Sequence, residues 1–151
     1  KVFIDGPFGH FSVDRHAHAE QFMFIAGGVG ITPIMSMLRT LADRGDRRPL
    51  ILLYANKDWE SVIFREDLER LTESLNLRLV HVLERSAPGW DGEQGFIGKE
   101  MLMRYLPEAA RRNLVEIFIC GPQPMMNAVE KSLAELGVPF GDVHSERFNL
   151  V

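Results

Sequence analysis

The sequence predicts an α/β domain with a doubly wound parallel sheet of about five strands and helices on both faces. Three observations predict this class. The apolar stretches are nearly continuous instead of alternating, which is typical of strands buried on both faces of a parallel sheet. Amphipathic helical patterns separate these stretches, as the crossover connections of a parallel sheet require. The length of 151 residues suits one domain, because ordinary domains hold roughly 100–200 residues.

Strand and helix signals alternate along the chain. Apolar runs predict strands over residues 22–26, 50–55, 77–83, 115–120 and 142–148. Helical periodicity predicts helices over residues 33–44, about 61–75, about 99–106 and about 124–136. Parallel sheets bind ligands at the carboxyl ends of their strands, so we expect a site in the loops that follow the strands. Those loops are residues 27–32, 55–60, 83–95, 120–125 and 146–148.

The first twenty residues differ from the rest of the chain. The sequence begins with Lys1 and a strand-like run at residues 1–4, without the layout of a signal peptide. Residues 14–20 are polar, which is typical of a connector between two units. We therefore expect a piece of a longer protein. Residues 1–20 would be the end of a preceding unit plus a connector, and residues 21–151 would form one ligand-binding domain.

The composition disfavours several classes of protein. A net charge of −4 and a pI near 5.7 supply no basic field for nucleic acid. No apolar stretch approaches the roughly 18 residues of a membrane span, so we expect no membrane contact by this part of the protein. The single cysteine, Cys120, excludes an internal disulfide and a cysteine-based zinc site, which fits a reducing, cytoplasmic setting.

The stretch AGGVGITP, residues 26–33, has the parts of a phosphate-binding turn. A phosphate is held by backbone N–H groups at the start of a helix, where the helix dipole also favours negative charge. Gly27, Gly28 and Gly30 lack the side chains that would block its approach. Thr32 is expected to cap the following helix, and Pro33 fits its first turn. The alternative is that the glycines only make a tight bend between a strand and a helix.

The turn departs from the Rossmann fingerprint in two ways. Its pattern is G-x-G-x-x-P, with Pro33 where the third glycine would stand. The acid that holds ribose hydroxyls about 20 residues further on is also missing, because Asn56 and Lys57 stand there and the next acid is Asp58. A cation at this place would tolerate, or favour, a 2′-phosphate.

A second turn, CGPQPMM at residues 120–126, repeats this logic at the end of another apolar strand. Gly121 gives space, whereas Pro122 and Pro124 stiffen the loop before a helix begins. Two glycine turns at one edge of a sheet can hold one extended ligand between them. We expect Cys120 to lie at the mouth of that site and not in the core.

Five motifs follow one another along nearly the whole chain: GPFGHF, AGGVGITPIMSML, YANKDWESVIFREDL, CGPQPMM and HSERF. In this order they resemble the motifs of the ferredoxin–NADP reductase superfamily, in its pyridine-nucleotide-binding domain. The likeness is greatest to ferric-reductase-like and phthalate-dioxygenase-reductase-like members. Five motifs in the right order are far more specific than one glycine loop.

The resemblance implies that a hydride passes from NADPH or NADH to FAD or FMN, and that electrons leave singly for a haem, iron–sulfur or ferric acceptor. The flavin would sit on a preceding barrel of the same parent protein. GPFGHF is similar to the last strand of that barrel, whereas the barrel's Arg-x-Tyr-Ser/Thr signature does not occur in these 151 residues. The isolated chain is therefore expected to bind nucleotide and to reduce nothing.

The resemblance also implies roles for individual residues. Cys120 would stand beside the nicotinamide, Glu146 would be the acid at the hydride-transfer site, and Phe148 would cover the flavin. The residues that would contact the dinucleotide are Gly27, Gly28, Gly30, Thr32, Pro33, Asn56, Lys57, Arg65, Gly121, Pro122 and Met125. Lys57 falls where NADP-using members often carry an arginine, so NADPH is slightly favoured over NADH. Trp59 is expected either to stack on adenine or to pack at the surface.

Three alternatives stay open or are disfavoured from the residues alone. A nucleotide-binding module without redox chemistry is the main rival. An S-adenosylmethionine-dependent transferase is disfavoured, because it generally needs an acid where Asn56 and Lys57 stand. His16, His18 and Glu20 alternate and would share one face of an extended segment, but a solvated connector is preferred and no metal is expected.

Overall fold

The computed structural model describes residues 11–16 and 18–147 of the chain. Six parallel strands form one sheet in the order β4-β3-β2-β1-β5-β6. The strands are β1 (Gln21–Gly27), β2 (Leu50–Asn56), β3 (Leu77–Leu83), β4 (Glu93–Gln94), β5 (Val115–Cys120) and β6 (Val143–Glu146). The predicted fold class is thus confirmed, with one strand more than expected. The strand-like run at residues 1–4 and Phe148 lie outside the described residues.

Four α-helices connect the strands. They are α1 (Ile31–Asp43), α2 (Arg65–Ser74), α3 (Lys99–Tyr105) and α4 (Gln123–Glu135). Helix α2 begins four residues later than predicted. Asp58 instead caps a short 3₁₀ turn at Trp59–Ser61, and Phe64, with φ of 61°, turns the chain before the helix.

The core has two layers, one on each face of the sheet. The side chains of β1 are buried, and successive residues point to opposite layers, as in any strand: Phe22 and Phe24 to one, Met23 and Ile25 to the other. Helices α1 and α2 contribute to the first layer, and α3 and α4 to the second. Because both faces are covered, the central strands need no polar side, which explains their continuous apolar sequence.

The topology places a crevice beside β1. Strands β2, β3 and β4 extend the sheet on one side of β1, and β5 and β6 extend it on the other side. The order in which successive strands are added to the sheet therefore reverses between β1 and β5. Open α/β sheets bind ligands at such a switch point. The two glycine turns follow these two strands.

The described residues before β1 pack against the sheet. Phe11 and Val13 are buried in the first core layer, and the Phe11 ring lies 5.3 Å from the Phe118 ring. His18 and Glu20 are exposed, as a solvated connector predicts. His16 corrects that prediction, because its Nδ1 lies 3.0 Å from a carboxylate oxygen of Glu116 on β5. In the part of the chain that the structure describes, none of the helices combines the length and the apolar character of a membrane span.

Candidate functional site

The first glycine turn forms a 3₁₀ turn, Gly28–Gly30, that leads directly into α1. Gly30 is the N-cap of α1, and no side chain caps the helix. The predicted cap by Thr32 is therefore wrong, since Thr32 already lies in the first helical turn, where it is exposed. Gly28 has φ of +53°, a left-handed conformation that favours glycine. The space beside it is open, since no atom lies within 4 Å of the place a Cβ would take.

The two glycine turns pack against each other through their backbones. A Cβ on Gly30 would collide with the carbonyl group of Cys120 and lie 2.8 Å from the Gly121 nitrogen. A Cβ on Gly121 would lie 3.1 Å from the Gly27 nitrogen. Side chains on these glycines would push the turns apart. The sequence therefore uses Gly30 and Gly121 for close packing, whereas Gly28 is the one that leaves space for a ligand.

A buried tyrosine supports the first turn from below. The Tyr54 hydroxyl donates to the Gly28 carbonyl oxygen at 3.5 Å and accepts from the Ile63 N–H at 3.3 Å. Burial raises the pKa of Tyr54, so its hydroxyl keeps the proton that it donates. Tyr54 thus fixes the glycine turn relative to the loop after β2.

A cleft of about 660 Å³ opens at the carboxyl edge of the sheet between these loops. Six residues predicted to contact a dinucleotide line it: Gly27, Gly28, Asn56, Lys57, Pro122 and Met125. For the other lining residues the sequence predicted no contact with a ligand: Val29, Ala55, Ser61, Ile63, Glu84, Gly95, Phe96, Ile97, Pro124 and Ala128. The walls are largely apolar, and Phe96 is 77% exposed at the cleft. Such a cleft suits a flat, partly apolar ligand with a few polar groups.

The polar groups of the cleft lie mainly at the ends of β2 and β3. Asn56 is buried, and its amide nitrogen has no hydrogen-bond partner among the described residues. Lys57 and Glu84 are exposed and bring opposite charges to the lining. Asp58 is held by two other residues, Ser61 and Arg85. It accepts from the Ser61 hydroxyl at 2.7 Å, which lowers the pKa of the Asp58 carboxyl, and it pairs with Arg85 at 3.4 Å.

Arg65 does not line the cleft. Its guanidinium lies over the Trp59 ring, 4.3 Å from the ring centre, and donates to the Trp59 carbonyl oxygen. The Trp59 ring also contacts the rings of His81 and Trp90, at 5.0 and 5.6 Å. Of the two roles expected for Trp59, this arrangement favours packing at the surface. Lys57 is left as the cation of this loop that faces the cleft.

Cys120 and Glu146, which the resemblance places at the hydride-transfer site, stand side by side outside the cleft. They are register partners of β5 and β6. Cys120 is completely buried, so the prediction that it lies at the mouth and not in the core is wrong. Burial, with a smaller effect of the Glu146 charge, raises the pKa of the Cys120 thiol to about 12. The thiol is therefore neutral and unsuited to act as a nucleophile.

The remaining predicted residues have separate positions. Pro33 lies in the first turn of α1, as predicted, but it is buried in the protein. Thr32, Gly30 and Gly121 lie beside the cleft without lining it. Phe148 lies outside the described residues, so its expected contact with a flavin stays a prediction.

A doubly wound parallel sheet with paired glycine turns at its switch point defines the class of nucleotide-binding α/β domains. The chain belongs to the oxidoreductase NAD-binding domain family, whose model matches residues 24–131. The resemblance to the pyridine-nucleotide-binding domain of the ferredoxin–NADP reductase superfamily is thereby confirmed.

Two curated relatives and one solved structure illustrate the family. The chain is 36% identical over 140 residues to NADH-cytochrome b5 reductase 1 of Pyricularia oryzae, covering 90% of this chain and 44% of that protein. It is 36% identical over 148 residues to ferredoxin–NADP reductase B of Sorangium cellulosum, covering 95% and 60%. The cytochrome b5 reductase domain of Ulva prolifera nitrate reductase superposes with a TM-score of 0.74 at 27% identity, covering 84% and 48%. The chain thus spans only about half the length of these relatives.

Proposed function

We propose that this chain is the NAD(P)H-binding domain of a flavin-dependent oxidoreductase. The parent protein would pass a hydride from NAD(P)H to FAD or FMN on a preceding barrel, and single electrons onward to a haem, iron–sulfur or ferric acceptor. One observation carries the proposal: two glycine turns, after β1 and β5, pack together beside a cleft at the switch point of the sheet. Family membership supports the same class of ligand.

The residues of the cleft fit a dinucleotide. The start of α1 has no side-chain cap, so its N–H groups and its dipole are available to a pyrophosphate. Gly28 leaves the approach open, because nothing lies within 4 Å of its missing Cβ. The apolar walls, which include Ile63 and Phe96, suit the faces of the rings. The Asn56 amide offers a donor whose hydrogen bonding is incomplete.

We assign the preference between NADPH and NADH to Lys57 and Glu84. Lys57 would pair with a 2′-phosphate, whereas a carboxylate such as Glu84 would repel a phosphate and could accept from a ribose hydroxyl. Asp58, engaged with Ser61 and Arg85, is not available to the ribose. Lys57 therefore favours NADPH. The relatives named above include one called an NADH enzyme and one called an NADP enzyme, so either cofactor fits the family.

The hydride chemistry belongs to the nicotinamide and the flavin when both are bound. The chain's own residues would bind, orient and exclude water. Neutral Cys120 would fill the end of β5 as a small apolar group, and Glu146 beside it would supply a negative charge at the edge that meets the flavin domain. Hydride transfer needs close contact of donor and acceptor carbons and nitrogens, so these residues act by holding that geometry.

The proposed acceptors follow from the relatives and from the chemistry of a flavin. One relative is named for cytochrome b5, a haem protein, and another for ferredoxin, an iron–sulfur protein. A flavin accepts two electrons as a hydride and can release them singly to such centres. The flavin domain of the same parent protein is therefore the first partner we propose.

Calorimetric titration of the 151-residue chain tests the proposal. NADPH, NADH and S-adenosylmethionine are compared at one salt concentration, and we expect binding of a nicotinamide nucleotide only. The same titration is repeated on the flavin-containing parent, because the flavin domain can complete the binding groove. Failure of both proteins to bind NADPH and NADH would overturn the proposal. Binding without oxidation of either nucleotide by the flavin-loaded parent would leave a nucleotide-binding module without redox chemistry.

A further inference from the structure

A cluster of two histidines and one glutamate lies away from the proposed nucleotide cleft. Glu116, the second residue of β5, is only 3% exposed. Its Oε1 lies 3.0 Å from Nδ1 of His16 and 2.7 Å from Nε2 of His144. Glu116 comes four residues before Cys120, or about 13 Å along the strand, so the cluster is remote from the cleft edge.

Three separate segments bring these side chains together. His16 belongs to the connector, Glu116 to β5 and His144 to β6. The ligand atoms of the three residues all lie within 4.8 Å of one another. The rings of His16 and His144 lie 4.5 Å apart, and both pack against the Phe118 ring, at 5.6 and 5.0 Å. Packing therefore holds the two imidazoles on the same side of Glu116.

Glu116 is a buried acid, and a positive charge beside it would stabilise its carboxylate. A buried carboxylate is costly unless it is paired, protonated or bound to a metal. A second carboxylate, Asp142, interacts with Glu116 and adds negative charge. Within residues 11–16 and 18–147, the ion-pair partners of Glu116 are histidines and not arginine or lysine. A divalent cation bound between Glu116 and the two histidines would neutralise the Glu116 carboxylate.

We propose that His16, Glu116 and His144 bind a divalent transition-metal ion of the zinc class. Two imidazole nitrogens and one carboxylate oxygen form a donor set that zinc accepts, with a water completing a tetrahedron. Ligand atoms around zinc stand about 3.3 Å apart, because each bond is about 2 Å long. The present separations of 2.7 and 3.0 Å would open by about 0.6 and 0.3 Å to reach this spacing. The ion would fasten the connector to β5 and β6. This proposal is independent of the proposed function.

Metal binding to the full chain tests the proposal. The protein is stripped with a chelator, dialysed and titrated with Zn²⁺ in competition with a chromogenic chelator, and with Co²⁺ for its visible absorption. We expect one Zn²⁺ per chain, a tetrahedral Co²⁺ spectrum, and a higher melting temperature with Zn²⁺ than without it. His16→Ala and Glu116→Gln should each weaken Zn²⁺ binding at least about 10-fold and abolish the gain in melting temperature.

His18→Ala is the matched control. His18 lies two residues from His16 in the same connector but is exposed, so the variant should bind Zn²⁺ like the parent chain. Circular dichroism of the metal-free proteins separates loss of binding from loss of fold, and His16→Ala leaves every sheet residue in place. The proposal is overturned if Zn²⁺ binds below one equivalent. Equal affinity in the His16→Ala chain and the unmutated chain would also overturn it and leave a hydrogen-bonded cluster of Glu116 and the two histidines.

Discussion

Cys120 and Glu146 are register partners at the carboxyl ends of β5 and β6. The pairing places the thiol and the carboxylate on the same side of the sheet, since partners in a parallel ladder point the same way. One of them is sealed in the core and the other is partly exposed. The pair therefore combines an inert packing group with a charged group at the edge where the flavin domain is proposed to meet this chain.

The burial of Cys120 predicts an unreactive thiol. The pKa is raised from its usual 9.0 to about 12, so the thiolate that reacts with maleimide or an aromatic disulfide is scarce at pH 8. Labelling of the native chain should be slower than labelling of the urea-unfolded chain by about 1,000-fold or more. Kinetics of thiol labelling under the two conditions check this. Equal rates would place the thiol at the surface, as the sequence alone suggested.

The raised pKa of Cys120 also predicts that the free energy of unfolding falls at alkaline pH. A thiol that ionises less readily in the folded protein contributes stability fully below pH 9, and this contribution is lost as the pH rises toward 12. Between pH 9 and pH 12, the free energy of unfolding of the unmutated 151-residue chain should fall more than that of the Cys120→Ala variant. Urea unfolding of both proteins at pH 8 and pH 10.5 measures the difference, and parallel losses would contradict it.

Gly30 is predicted to tolerate no side chain. A Cβ there would strike the backbone of Cys120 and Gly121, which cannot move aside as a flexible side chain can. Gly30→Ala should therefore destabilise the chain by at least about 1–3 kcal/mol and weaken nucleotide binding by separating the two turns. Gly141→Ala is the control, because nothing lies within 4 Å of its Cβ position. Chemical denaturation of both variants measures the two losses of stability. Similar losses for Gly30→Ala and Gly141→Ala would contradict the packing role of Gly30.

Much of the fold follows from the sequence because the central strands are buried on both faces. Their continuous apolar runs predict strands β1, β2, β3 and β5 to within about one residue. Strand β4 is missed because Glu93 and Gln94 are two polar residues without any periodic pattern. The start of α2 is misplaced because the residues before it form a 3₁₀ turn at Trp59–Ser61, and Phe64, with φ of 61°, turns the chain before the helix begins.

The site is predictable in part for a different reason. Glycine turns can be recognised in a sequence, because few residues can replace glycine where φ is positive or where two backbones are in contact. The far wall of the cleft has no such signal. Ile63, Phe96 and Ile97 reach it from loops whose path depends on the packing of distant segments. The burial of Cys120 is likewise set by the turn of Gly30, which packs over the end of β5.

Lys57 and Arg65 provide a paired test of cofactor choice. Lys57 lines the cleft, whereas Arg65 is held against Trp59. Lys57→Ala should weaken NADPH binding by about 10-fold, or about 1.4 kcal/mol, and leave NADH binding nearly unchanged. Arg65→Ala should leave the ratio of the two affinities as it is. Calorimetric titration of the variants with both nucleotides gives the ratio, and an equal loss for NADPH and NADH would refute a 2′-phosphate contact.

Glu84, whose charge is opposite to that of Lys57, provides a second test of the choice between NADPH and NADH. If NADPH is the cofactor, Glu84→Gln should strengthen its binding, because a repulsive carboxylate is removed from the cleft. If Glu84 instead accepts from the ribose of NADH, the same variant should weaken NADH binding by about 1 kcal/mol or more. Titration at two salt concentrations separates the two cases, since charge repulsion is screened by salt and a single hydrogen bond is affected far less.

Glu146 is predicted to act on the rate of flavin reduction more than on nucleotide affinity. It lies outside the cleft that would hold most of the dinucleotide, beside the buried Cys120. In the flavin-containing parent, Glu146→Gln keeps the shape of the side chain and removes its charge, so binding of NAD(P)H should change little. The rate of flavin reduction in a stopped-flow experiment should fall by about 10-fold or more, as for a group that acts in the transition state. Glu73→Gln, a change of the same kind at an exposed position of α2, is the control and should leave the rate unchanged. If Glu146→Gln reduces the flavin as fast as the parent does, Glu146 has only a structural role at the end of β6.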